Sequence, residues 1–513
     1  MRKNSPWTRW WVAGLLVAGP TPAAADNALI EAVKKADKVA VQALLQQRTD
    51  VNQPEVDGTT ALHWAAQKDD SALVTMLLGA GAHVSPSNRY GVTPLSVACI
   101  NGNAAIVEAL LKHGADPNTS SPEGETALMT SARTGRADVV KLLLAHGANV
   151  NAKEGWHGQT ALMWAAAERH EAVVRTLLER EADVRARSKG GLTPLLFAVR
   201  AGDIPTVRAL LGGGANVNDT APDGTSALVM AIINARFELA SVLLDSGASP
   251  NASDPRGSAL HALLFVRNPG YPAVPSPIAS GRLNSLEVLR ALVAHGANLN
   301  TRIDWKEIPF DRDDGVVKGP PNIAIGRNFQ SFIGATPFWL AARAGDVVAM
   351  RVLVQGGADP RLATTQNVTP LMAAAGLGFW DGESPGAEQE ALEAVKLTIE
   401  LGNDINALAT FGGPPLEAGD MNLRTAHPQN LAGSVGDMRW SGSTALHGAA
   451  LRGANSIVSF LVEKGATLDV RNSAGFTPLV VAEGVFVANT VKTWDSTAAL
   501  IRQLMETQQA NRR

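Results

Sequence analysis

A single cysteine, Cys99, stands in 513 residues, so no internal disulfide can form. It falls inside a predicted helix among small and apolar residues, where a thiol serves as a small core side chain, and no histidine stands beside it as the base a nucleophile needs. Charge of one sign is lacking too: 45 Lys and Arg against 48 Asp and Glu leave −3 at pH 7, so nucleic acid is not the expected partner. No G-x-S-x-G elbow, H-E-x-x-H pair or phosphate-cradling glycine loop is present. His157, His170 and His427 have no mutual spacing that suggests a metal site. Asp311-Arg312-Asp313-Asp314-Gly315 has the acids of a calcium loop with the wrong alternation and no Glu at the twelfth position. The expectation is a protein without cofactor, without bound metal and without covalent chemistry.

A long hydrophobic run is also missing. Arg2, Lys3 and Arg9 give a positive start, Trp10–Gly19 is a short apolar run, Pro20-Thr21-Pro22 breaks it, and Ala23-Ala24-Ala25 supplies a small-residue cleavage site. The run is too short to span a membrane comfortably. No twin-Arg pair is present and no Cys follows the cleavage site. Residues 1–25 therefore read as a signal peptide for export to a bacterial periplasm or beyond, with an uncleaved signal anchor as the alternative. Cleavage would remove three positive charges and no negative ones, taking −3 to −6, and would leave no stable membrane span.

What the sequence has in abundance is glycine at a fixed period. Glycine followed by a Thr/Ser-Ala/Pro-Leu step recurs at Gly58, Gly91, Gly124, Gly158, Gly191 and Gly224, with successive differences of 33, 33, 34, 33 and 33 residues. A constant period of this length signals a repeat array. In Gly91–Glu123, Thr93-Pro94 suits a helix start, because Thr caps free N–H groups and Pro is tolerated at the first helical position. Leu95, Ala98 and Cys99 follow at helical spacing, Asn101-Gly102-Asn103 breaks the helix, and a second helix over Ala104–Lys112 aligns Ile106, Val107, Leu110 and Leu111. His113-Gly114 ends it, glycine there being able to take the left-handed conformation. One such pair cannot bury its apolar face alone; stacked neighbours make a continuous core.

The steps Thr60-Ala61-Leu62-His63, Thr93-Pro94-Leu95-Ser96, Thr193-Pro194-Leu195-Leu196, Thr444-Ala445-Leu446-His447 and Thr477-Pro478-Leu479, with closings such as Gly147-Ala148-Asn149-Val150-Asn151, resemble the ankyrin repeat. The resemblance implies an all-α ankyrin-repeat solenoid of about twelve helix-turn-helix units joined by hairpin tips. Residues 26–57 form a capping repeat, 58–256 regular repeats, 257–441 repeats broken by inserts at 265–284, 303–333, 376–389 and 410–441, and 442–510 the last repeats and second cap. His63, His261 and His447 complete the T-P-L-H step, where the ring can bond to the backbone of adjoining turns. Glu181 stands where neighbouring units carry a closing glycine.

The resemblance further implies a monomeric scaffold that binds a protein partner through a concave face made of hairpin tips and exposed sides of first helices. The matching positions are Arg89, Tyr90, Glu123, Arg133, Trp156, His157, Lys189, Arg200 and Asp223. Trp156 is the sharpest, an aromatic at a predicted tip, and tryptophan is enriched at interface hot spots. Trp64, Trp164 and Phe197 sit one step after the T-A/P-L-x motif and are expected in the core. The inserts carry Trp305, Phe329, Trp380 and Trp440 in or beside them, and aromatic-rich inserts fold down onto the stack either to recognise a partner or to seal a gap. A rival reading makes Trp305, Phe379, Trp380 and Trp440 the lining of a small-molecule or glycan pocket, with catalysis open to it.

Overall fold

A computed structural model describes residues 27–254, 257–269, 277–279, 281–304, 332–378, 386–411, 440–487 and 490–512. The proposed leader, the Asp311–Gly315 segment, Tyr271, Trp305, Phe310, Phe329, Phe379 and Trp380 lie outside the described residues. The chain divides at Gly190/Gly191 into two compact units. Twelve antiparallel helix pairs are present among the described residues, five in the first unit and seven in the second.

Most pairs share one construction. A Thr or Ser caps the inner helix: Thr93 Oγ1 accepts from Ser96 N at 3.2 Å and Ser226 Oγ from Val229 N at 3.2 Å. Pro at the first helical position, as in Pro94–Asn101 and Pro337–Arg343, presets the backbone where no amide partner is needed. In six pairs an acidic or amide side chain caps the outer helix, as Asp70 does for Ser71–Gly79 and Asn103 for Ala104–Lys112. The outer helix buries one stripe: Ile106, Val107, Leu110 and Leu111 in Ala104–Lys112, Val139, Val140, Leu143 and Leu144 in Ala137–Ala145. Each such side chain contributes roughly 1.5–3 kcal/mol by leaving water. In the first pair, Ala28–Lys34 buries Leu29, Ile30 and Val33, but Lys38–Gln46 buries only Val41, and Val39 is exposed. A terminal outer helix has no neighbour on that side, so the stripe narrows.

Asparagines tie many of the outer turns to the next. Asn118 Nδ2 donates to Gly147 O at 3.1 Å while its Oδ1 accepts from Asn149 N at 2.7 Å. Asn151 does the same with Glu181 O and Asp183 N. In the second unit this bridge skips over the inserts: Asn251 meets Gly296 O and Asn298 N, and Asn406 meets Gly465 O and Thr467 N. Glu181 has φ +62°, the left-handed conformation that its glycine counterparts take.

At a regular tip, a first residue accepts the amide of a glycine three residues on, as Gly91 N donates to Asn88 O at 2.9 Å, and Asn88 N closes the turn on Val92 O. Two inserts are looped out of this same turn. Gly334 N donates to Ile303 O and Ile303 N to Ala335 O; Gly442 N donates to Ala409 O and Ala409 N to Ser443 O. The rims are sealed by rings: Phe332 is buried edge-on to Trp339 with centroids 5.6 Å apart, and Trp440 edge-on to Phe476 at 6.2 Å. The fold departs from an all-helical expectation in two short ribbons, Ser253–Asp254 with Gly257–Ser258 and Val485–Val487 with Thr490–Lys492. The last helix, Asp495–Arg512, runs past the expected end.

Candidate docking surface on the first unit

Successive tips of the first unit are stitched by their backbones. Arg89 N donates to Asp57 O at 2.8 Å, Gly155 N to Glu123 O at 2.6 Å and Lys189 N to His157 O at 2.7 Å. Pro122 has no N–H to extend this series. Side chains then fix each turn from inside. Asn88 Oδ1 accepts from Tyr90 N and Val92 N, both at 3.0 Å. The turn holding Trp156 is one residue longer, which is the origin of the 34-residue interval between Gly124 and Gly158. A side chain one methylene longer spans it: buried Glu154 accepts from Trp156 N at 2.6 Å, His157 N at 2.8 Å and Gln159 N at 2.8 Å. Burial pushes this carboxyl up, but the amides of Gln159, His157 and Trp156 outweigh it and hold it below the usual carboxylate range.

The turn so locked presents Trp156 with 66 % of its surface exposed, beside exposed His157. Lys189 Nζ donates to Gly155 O and Lys153 Nζ to Arg187 O at 3.0 Å, so both side chains tie this turn to the next. Two tips earlier, Tyr90 is 45 % exposed and Arg89 stacks on it, its guanidinium 4.7 Å from the ring centroid, also donating to the Tyr90 hydroxyl. Arg133, at the end of the inner helix Ala127–Arg133, pairs with Glu125 at 3.0 Å and lies 5.4 Å over the Trp164 ring. Glu123 is half-buried on the tip between Tyr90 and Trp156. The first unit thus brings Arg89, Tyr90, Glu123, Trp156, His157 and Lys189 onto consecutive tips, with Arg133 on an inner helix behind them.

The remaining expected site residues are placed differently. Arg200 is exposed in the second unit and stacks over Phe197 at 5.2 Å, and Phe197 is core as expected. Asp223 caps its own tip, accepting from Thr225 N at 2.9 Å. Trp440 departs from the partner-binding role expected of it: at 1 % exposure it fills the rim of an insert and offers no contact surface. Trp64 and Trp164 are corrections in the other direction. Both are half-buried, and Trp64 Nε1 donates to Glu55 Oε2 at 2.7 Å. Glu154, Glu125 and Trp164 went unrecognised as parts of the surface. The one-residue stretch of the period before Gly158 was the available signal for Glu154.

Residues 29–121, 114–188 and 181–254 match the family of ankyrin repeats in groups of three, and residues 333–365 and 441–473 match the single ankyrin repeat. The chain belongs to the ankyrin-repeat proteins. Among solved structures it is similar to the ankyrin repeat domain of human ASB11, with 28 % identity over 41 % of this chain and 90 % of that domain, at a TM-score of 0.36. Among curated proteins none matches.

In this ankyrin-repeat protein the histidines of the T-P-L-H steps work as structural pins. His447 Nδ1 accepts from Thr444 N at 3.1 Å, which leaves the proton on Nε2 for Phe476 O at 3.0 Å. His63 spans Thr60 and Val92, and His261 spans Ser258 and Ala335, in the same way. Cys99 is fully buried, and that burial pushes its thiol up to about 12, far from a thiolate at neutral pH. Among the described residues no cluster of His, Cys, Asp and Glu is arranged to hold a metal, and no helix is long and apolar enough to cross a membrane.

Proposed function

We propose that the protein is an exported, monomeric scaffold that docks a protein partner on the tips and inner-helix face of its first unit, with Trp156 as the anchor. Ankyrin repeats mediate protein–protein interaction as a family. The observation that carries the reading for this chain is the Trp156 turn. A large aromatic is held in water by a backbone that a buried carboxylate has already fixed, so little ordering entropy is left to lose on binding. Of the rings in the pocket reading of the inserts, Trp440 is a core ring, and Trp305, Phe379 and Trp380 lie outside the described residues.

Affinity capture from the exported proteins of the producing cell, run in parallel with the mature chain and its Trp156→Ala variant, tests this. The variant should melt as the parent does and lose the captured partner by a factor on the order of 30 or more. Equal capture by both baits would reject Trp156 as the anchor.

A further inference from the structure

Two constellations in the first unit occupy the same repeat positions three units apart, and one of them lacks a part. In the first, Lys34, Glu55 and Trp64 close on one another. Trp64 Nε1 donates to Glu55 Oε2 at 2.7 Å, Lys34 Nζ pairs with Glu55 Oε1 at 2.7 Å, and the ammonium lies 4.8 Å from the Trp64 ring centroid. In the second, Arg133, Glu154 and Trp164 take those places. Glu154 N closes its tip on Gln159 O as Glu55 N does on Thr59 O, and the Arg133 guanidinium lies over the Trp164 ring. Here, however, the carboxylate has turned into its own tip and serves the amides of Trp156, His157 and Gln159.

The indole is left without its acceptor. Trp164 Nε1 and Arg133 Nε are both buried, and neither has a hydrogen-bond partner among the described residues. Glu125 does not fill the gap: it accepts from Arg133 Nη2 at 3.0 Å and from the Thr130 hydroxyl at 2.9 Å. Buried donors without acceptors are destabilising until an acceptor reaches them. One of these two belongs to a cation, so a carboxylate satisfies the pair better than a neutral carbonyl. The Arg133 side chain covers the indole and is 26 % exposed; an incoming group gains the site by shifting it.

We propose that Arg133 and Trp164 form a receiving site for an Asp or Glu side chain of the protein partner, whose carboxylate takes in trans the place that Glu55 holds in cis beside Trp64. The proposal rests on the reading of the first unit as a docking surface and adds the chemistry of the bound segment: acidic, with its carboxylate behind the tip that displays Trp156.

A phage-displayed library of random dodecapeptides selected on the full chain tests it. Binders should share one Asp or Glu, and changing that residue to Asn or Gln should weaken binding roughly 10- to 100-fold. Trp164→Phe keeps the ring under Arg133 and removes the N–H. It should weaken the acidic peptides by a comparable factor and leave their amide versions unchanged, a coupling that a merely structural role would not produce. Arg133→Gln provides a second cycle should Trp164→Phe lower the melting temperature. Selection of no binder, binders without a shared acid, or losses from peptide and protein changes that simply multiply would each overturn the proposal. So would a shift of the Trp164 indole resonance by millimolar acetate with no shift by any selected peptide, since that would make the site one for free small carboxylates. Binding lost in Trp156→Ala but indifferent to the acid would overturn the carboxylate site and keep the docking reading; acid-dependent binding indifferent to Trp156→Ala would do the reverse.

Discussion

Acid should loosen the second unit through its buried histidines, and His447 shows how much. Desolvation lowers its pKa to about 4, against smaller opposing effects from the carbonyls of Phe476 and Val470. The unfolded chain titrates near 6.5. The folded ring is therefore neutral where the unfolded ring takes a proton. Its contribution is complete above about pH 6.5, falls as pH drops, and stops falling below about pH 4. Between pH 7.5 and pH 5.0 the loss comes to about 2 kcal/mol, or roughly 30-fold in the opening equilibrium, and the full loss below pH 4 to about 3 kcal/mol. His261, also pushed down to about 4 by burial, adds a second contribution of the same sign in the same window. Amide hydrogen exchange along Ala445–Arg452, corrected for intrinsic rates, reads the local opening at both pH values. The His447→Gln variant should be less stable at pH 7.5, because Thr444 N and Phe476 O lose the ring between them. Its opening should then respond to pH less steeply than the parent's by about 2 kcal/mol. Equal pH dependence in parent and variant would refute the argument that this ring is held neutral.

Glu154→Gln keeps an acceptor but removes the charge that three amides share, so capture of the partner should fall while the melting temperature stays within a degree or two; unchanged capture would show that the Trp156 turn does not need its carboxylate. Because the Glu154 pKa is lowered in the fold, the turn is held above the unfolded carboxyl's pKa and released as pH falls through the folded value, which a pH series of partner capture would reveal. Glu181→Gly should change stability by a gain of roughly 0–1 kcal/mol in urea melts, strain relief being offset by a looser unfolded chain; a clear loss would mean that the Glu181 side chain makes a stabilising contact. Deleting residues 304–331 leaves Ile303-Phe332-Ile333-Gly334, the length of Asn88-Arg89-Tyr90-Gly91. If the insert serves recognition alone, exchange beyond Gly334 should be unchanged and any partner it binds lost; faster exchange there would assign it a sealing role. N-terminal sequencing of protein from the periplasm or medium should find Asp26 first, and an intact Met1 on a membrane-bound product would reject cleavage.

The repeat was legible because each of its devices is local. Thr before Pro, glycine after the outer helix and a four-residue apolar stripe each act within one turn, and Ala104–Lys112 has the bounds that its own residues dictate. The twelve pairs follow from counting such turns, even where an insert separates them, since the Asn251 and Asn406 bridges close the stack across the gap. Less legible was where a ring points when its helix is half-exposed. Trp64, Trp164 and Phe197 share one repeat position, yet Phe197 is core while the two indoles are half-buried. Nor does a sequence show which way a long tip side chain turns.

Glu55 and Glu154 make that last point sharply, and the surface depends on it. They hold the same place in their repeats, and a reading by type alone gives them one role. The second turn holds a single extra residue, and three of its amides face the Glu154 carboxylate. A carboxylate that accepts several backbone N–H groups is strongly stabilised in its charged form, so Glu154 goes to the amides and Trp164 is left open. The same residue thereby raises Trp156 into solvent and vacates the position behind it. An insertion of one residue in a tip converts a closed structural triad into a displayed aromatic with an unfilled acceptor place at its back, and this is why the candidate anchor and the candidate acid site fall in the same repeat.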